Sequence, residues 1–99
     1  MNISKMMKDL QKMQGKMQAE VEKVEVDASS GGGIVTATMN GKKQLVALTL
    51  SPEAITPDDP DLMADLVLAA VNEAGRKVDE EIEGLTKGLT GGLGIPGLG

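Results

Sequence analysis

From Ile3 to Val24 the apolar residues fall at Ile3, Met6, Met7, Leu10, Met13, Met17, Val21 and Val24, three or four positions apart. That spacing puts them on one side of an α-helix and fits no strand. In heptads, Ile3, Leu10, Met17 and Val24 share one position, so this stripe is the expected contact with the rest of the chain and with a second subunit. At about 100° per residue, Lys5, Lys8, Lys12 and Lys16 occupy an arc roughly 80° wide across the helix from it. Gly15 costs about 1 kcal/mol relative to Ala, yet the pattern runs through it, so one continuous helix is predicted.

After Val24 the period changes from 3.6 to two. VEVDASS alternates, Gly31, Gly32 and Gly33 interrupt, and IVTATM resumes the alternation with β-branched and small residues. Asn40-Gly41 then carries the composition of a type I′ hairpin turn, and KKQLVALTLS reads as the returning strand. The prediction is a three-stranded antiparallel meander at 24–30, 34–40 and 43–50, with one face covered by helix because three short strands are not stable alone.

Ser51-Pro52-Glu53 has the order of a helix start, a hydroxyl cap, Pro at the first helical position and an acid in the first turn, and predicts a single turn. TPDDPDL repeats that order and opens a long helix. Its apolar stripe is Val67, Val71, Ala74, Val78, Ile82, Leu85 and Leu89, with Leu62, Leu66 and Ala69 widening the first turns enough to suggest burial on two sides. Val67, Val71 and Val78 are the expected core and dimer-interface residues of this helix. Beyond Gly84 glycine accumulates, and GGLGIPGLG suits neither helix nor strand. Residues 1–89 are therefore expected to form one α+β domain and residues 90–99 a flexible tail.

The chain of 99 residues has no Phe, Tyr or Trp, so aliphatic side chains must fill its core alone. A domain this small buries only about 60–70% of the surface its unfolded chain exposes, and self-association becomes the expected remedy. Cys and His are also absent, which removes disulfides, thiol nucleophiles and the usual nitrogen and sulfur ligands of zinc or haem. The commonest general acid–base at neutral pH is missing with them. A non-enzymatic protein with no cofactor and no small-molecule substrate is expected. No run approaches the length of a membrane span, and the start lacks the apolar core of a secretory signal, so a cytoplasmic location is expected.

Net charge is −5, but residues 1–52 carry seven basic against five acidic side chains and residues 53–99 three against ten. An anionic partner should therefore approach the N-terminal half. Asp9 is the only acid among residues 1–19, which makes the lysine stripe a cationic surface in an acidic protein. Phosphate backbones and anionic membranes both suit such a surface. Without aromatic residues to stack on bases, contact with the backbone of a duplex is the more natural nucleic-acid mode. Lys5, Lys8, Lys12 and Lys16 are the candidate contacts, with Lys42 and Lys43 of the hairpin as lesser ones.

The other motifs resolve into ordinary structure. Gly92-x-Gly94-x-x-Gly97 is formally a dinucleotide fingerprint, but no strand precedes it and Pro96 prevents the helix that should follow. Asp58, Asp59 and Asp61 are better placed to cap a helix than to ligate a cation. Asp79, Glu80, Glu81 and Glu83 point to different sides of a helix and suggest a solvated face. Asn72, in the apolar run LVLAAVNEA, is a polar edge residue, a buried packing determinant or a ligand contact.

The succession of MMKDLQKMQGKMQ, the hairpin GIVTATMNGKKQLVALTLSPEAI, the run DLMADLVLAAVNEAGRKVDEE and the ending GLGIPGLG resembles the YbaB/EbfC family of nucleoid-associated proteins over nearly the whole chain. The resemblance implies an α+β homodimer whose helices project like tweezer arms and which binds DNA in the bacterial cytoplasm, with an influence on nucleoid organisation and gene expression. The expected partners are double-stranded DNA and a second copy of the chain, with no membrane. The alternative is a protein-interaction adapter that uses the methionine-rich face of the first helix.

Overall fold

The computed structural model describes residues 2–91, so the glycine-rich motif at 92–97 and most of the expected tail at 90–99 lie outside the described residues, as does the side chain of Leu89. The order of elements is α1 (Ile3–Glu22), β1 (Glu25–Ser30), β2 (Val35–Asn40), β3 (Leu45–Leu50), a 3-10 turn (Pro52–Ala54) and α2 (Pro60–Gly91). The three strands form one antiparallel sheet in the order β1-β2-β3. The α+β class and the element order predicted from the sequence are thus observed.

Local chemistry explains the boundaries. Asn2 caps α1 by accepting the Lys5 N–H at 3.2 Å, which satisfies one of the free donors of a helix start. Asp59 does the same for α2 by accepting the Leu62 N–H at 3.1 Å, in keeping with the capping role read from the aspartates. Ser51 differs from its expected role. Its hydroxyl makes no cap bond, and its backbone carbonyl instead accepts the Ala54 N–H at 2.9 Å. The turn between β1 and β2 runs through Gly31, Gly32 and Gly33, all at positive φ. A Cβ at Gly31 would also lie 2.9 Å from Leu66 Cδ2.

The hairpin between β2 and β3 departs from the predicted two-residue turn. The Lys43 N–H closes the turn on the Asn40 carbonyl at 3.0 Å, and Lys43, not Gly41, takes the left-handed conformation, with φ of 62°. The reason is the Asn40 side chain, whose Oδ1 accepts from both Lys42 N and Gln44 N at 3.0 Å and so draws the chain into a longer loop. The register then slips by one residue beside Thr38 and Met39, leaving Val46 as the extra residue of β3.

α2 lies across β1 and β2, burying Ala28, Val35, Ala37 and Met39 of the sheet against Ala70, Ala74 and Val78. Val67, Val71 and Ile82 pack around this centre, partly buried. Alanine at Ala28, Ala37, Ala70 and Ala74 lets the helix backbone sit close to the sheet, which is how a chain without aromatic residues closes a core at all. The largest fully buried side chains are Val35 and Val78, each worth about 2 kcal/mol of burial.

β3 is left outside this arrangement, and every one of its residues is exposed. By register, Leu45, Leu48 and Leu50 stand on the same face as Met39, Ala37 and Val35, so they continue the α2-facing surface past the edge of the helix. Leu68 of α2 is exposed as well. The second buried side expected for the first turns of α2 is therefore open in the single chain, because one helix is wide enough for two strands and the sheet has three.

Candidate nucleic-acid interface

α1 touches the body only along its C-terminal half. One crevice brings Lys23, Val24 and Glu25 beside Glu81 and Leu85, and the next brings Lys16, Met17 and Glu20 beside Gly84, Leu85 and Gly88. As numbers fall along α1 they rise along α2, so the helices run past each other in opposite directions. Residues 3–12 of α1 are exposed on all sides. The helix is thus a projecting arm, and Met17, Val21 and Val24 are its half-buried root.

On this arm Lys5, Lys8, Lys12 and Lys16 are all exposed, and none of them forms an ion pair among the described residues. From Lys5 to Lys16 the stripe is about 17 Å long at 1.5 Å per residue. Lys23 extends it. It stands 18 residues after Lys5, five whole turns, and so repeats the same direction, while also pairing with Glu20 at 3.4 Å. The 18-residue repeat in the sequence is the signal that could have found it.

The two hairpin lysines separate. Lys42 is exposed and forms no ion pair among the described residues, whereas the Lys43 ammonium is held by Asp79 at 3.1 Å. A lysine already engaged with a carboxylate has less charge to offer a phosphate, so the structure brings Lys43 toward α2 rather than into the stripe. The apolar candidates separate too. Val78 is in the core, Val67 and Val71 at its edge, Met17 and Val24 at the root of α1, and Ile3 and Leu10 stand exposed on the arm.

The acidic face of α2 is solvated and only partly neutralised by ion pairs. Arg76 hydrogen-bonds Glu73 and pairs with Glu80, and Lys87 pairs with Glu83 at 3.1 Å. The hydrogen bond from Arg76 holds the Glu73 carboxyl below its ordinary pKa, and Glu73 in turn pushes the Arg76 guanidinium up. Asn72 is exposed one helical turn from Leu68, at the rim of the open apolar surface. No cluster of three or more potential metal ligands occurs among the described residues, and no helix there is long and apolar enough to cross a membrane.

These features define a class: a small two-layer α+β protein that presents a cationic helical arm beside an unfinished apolar sheet edge. The model of the YbaB/EbfC DNA-binding family matches residues 1–93, and the chain belongs to that family. A nucleoid-associated protein of Clostridium novyi is 46% identical, over 99% of this chain and 89% of that one. Another, from Acetivibrio thermocellus, is 48% identical over 98% of this chain and 89% of its own length. The crystal structure of an uncharacterised Helicobacter pylori protein superposes with a TM-score of 0.75 at 22% identity, covering 91% of this chain and 98% of that one. That last likeness establishes the fold. The family is described by DNA binding, not by a reaction.

Proposed function

We propose that the protein is a homodimeric, nucleoid-associated DNA-binding protein that contacts duplex phosphates through Lys5, Lys8, Lys12 and Lys16 of α1 with little sequence preference. The observation that carries this reading is the set of four exposed lysines without ion pairs on one arc of a projecting helix, in a chain of a DNA-binding family. A stripe about 17 Å long runs beside roughly five base pairs of duplex at 3.4 Å each, enough for four phosphate contacts per arm. Lys23 extends the stripe in the same direction, and Lys42 is a further exposed lysine. Contacts of this kind position a protein on DNA without reading base edges, which is the physical basis of low specificity.

Dimerisation is supported by the exposed leucines of β3 and by Leu68, an apolar surface continuous with the core. Two arms in one particle double the number of phosphates reached. The rest of each chain is acidic and repels DNA, so contact is confined to the arms. The proposed place of work is the nucleoid within the bacterial cytoplasm, where such binding would act on DNA organisation and expression.

The test is titration of a duplex at several salt concentrations with the native protein and with a variant in which the four lysines are Gln. Each phosphate contact adds about 0.9 to the slope of log affinity against log salt, so an upper limit of eight contacts per dimer gives a slope near 7. The variant should lose most of the affinity and most of the slope while remaining folded. Salt-insensitive binding by the native protein, or an unchanged slope in the variant, refutes the assignment.

The adapter reading is favoured by one observation: Ile3, Met6, Met7 and Leu10 are between 53% and 68% exposed on the arm. Binding of that kind would survive high salt and the lysine substitutions, and would fail when Met6, Met13 and Met17 become Ser.

A further inference from the structure

The hairpin turn Asn40–Gln44 is tied to both helices at once. Within the turn, Asn40 N–H donates to the Gln44 carbonyl at 3.0 Å, Asn40 Nδ2 donates to Gln44 Oε1 at 2.9 Å, and Asn40 Oδ1 accepts two backbone donors. Toward α2, Lys43 reaches Asp79, and its Cε lies 3.6 Å from where a Cβ on Gly75 would stand. Just past the end of α1, the Gly41 N–H donates to the Val24 carbonyl at 3.0 Å, which continues the β1–β2 pairing by one step. Gly41 is buried, and a Cβ there would lie 2.1 Å from the Val21 carbonyl oxygen, 3.0 Å from its carbon and 2.9 Å from Val21 Cγ1. Its φ is not positive, so glycine is required at this position by the closeness of the α1 backbone and not by the turn's own dihedral angles.

We propose that the Asn40–Gln44 turn is the mooring that sets the direction of α1, with Gly41 as the positioning residue that fixes where the lysine stripe stands relative to the body. The consequence for DNA rests on the function proposed above, while the mooring itself does not. A helix that meets the body only through its C-terminal half has few contacts to define its angle, and at Gly41 the Val21 carbonyl leaves no room for a side chain. The Val21 backbone would have to retreat about 1 Å to accept a methyl group. Against the contact at Met17, about 6 Å along the axis, that tilts the helix by about 10°, and at Ser4, about 20 Å beyond that pivot, the arm moves by about 3 Å. The core residues Val35, Ala37, Ala74 and Val78 take no part in this contact.

Because the chain has no cysteine, two can be introduced without background, at Ser4 on the arm and at Asp58 in the loop before α2, and spin-labelled. Labelled chains diluted in an excess of unlabelled protein report the distance within one chain whatever the oligomeric state. Gly41→Ala is expected to shift the mean distance by about 3 Å, or to broaden its distribution, with helix content unchanged. Lys43→Gly, which releases the tie to α2 but keeps Gly41, should leave the mean distance in place. A folded Gly41→Ala protein with the native distance and width overturns the proposal. Should Gly41→Ala fail to fold, Asn40→Ala loosens the same turn through its side chain, and a native distance distribution in that variant overturns the proposal equally. The variant with all four stripe lysines as Gln should keep the native distance while losing DNA. Gly41→Ala should weaken duplex binding about tenfold with every lysine present. A moved arm with undiminished affinity would therefore count against the DNA reading and leave the mooring standing.

Discussion

Replacing Leu48 by Glu should convert the proposed dimer into a folded monomer. Leu45, Leu48, Leu50 and Leu68 are 45%, 40%, 37% and 59% exposed in the single chain, and the first three lie on the α2-facing side of β3. Full burial of a leucine side chain is worth about 2 kcal/mol, so covering the exposed half of each contributes about 1 kcal/mol, or about 8 kcal/mol over both copies. The cost of association is of the same order, so the proposed dimer would have moderate affinity and would depend on every one of these side chains. The Leu48→Glu substitution would remove about 2 kcal/mol of that burial from the pair and place two carboxylates in an apolar interface, each costing several kcal/mol to desolvate or to protonate. The dissociation constant should rise by at least three orders of magnitude. The fold should survive, because Leu48 is already 40% exposed and lies outside the buried cluster. Sedimentation equilibrium over a wide concentration range measures the constant, and circular dichroism checks the fold. A variant that remained a dimer with native affinity would show that this surface is not the interface.

Two further outcomes follow from the core and from the charged face of α2. Val78→Ala removes two methyl groups from a fully buried position between helix and sheet, and should cost about 2 kcal/mol, read as a lower denaturant midpoint at unchanged slope. A cost below about 0.5 kcal/mol would mean that the site collapses or is not the centre of the core. The folded-state pKa of Glu73 is lowered by Arg76, so the stability it contributes is fully present above the ordinary carboxylate pKa and is lost as pH falls through the lowered value. Arg76→Gln should therefore melt slightly below the native protein at neutral pH and together with it in strong acid; a difference that persisted unchanged in acid would contradict that linkage. The effect is small because the pair is exposed and screened.

Much of the fold was legible in local pattern. Apolar spacing of three and four fixed α1 and α2, alternation fixed the strands, and Asn2 and Asp59 act as caps through chemistry that depends only on near neighbours. The lysine stripe was equally legible, since four positions on one helix determine their own directions. What the pattern left open was contact across the chain. Alternation gave β3 a face but could not say that α2 would cover two strands of three and leave Leu45, Leu48 and Leu50 without a neighbour. The apolar stripe of α1 looked uniform along its length, yet only its root from Met13 onward is partly buried, because α2 and the hairpin reach no further along the described chain.

The hairpin shows the division most clearly. Asn40-Gly41 signalled a turn correctly, and a glycine in a turn is ordinarily explained by positive φ. In the fold the left-handed residue is Lys43, and Gly41 is needed because the Val21 carbonyl, twenty positions earlier, passes within 2.1 Å of where its side chain would begin. The sequence by itself determined which segments are helix and strand and which face of each is apolar or cationic, because those properties follow from backbone periodicity and nearest neighbours. The tertiary structure alone decided which faces are covered, which lysine is already paired and where the arm points. Those depend on atoms brought together from distant parts of the chain.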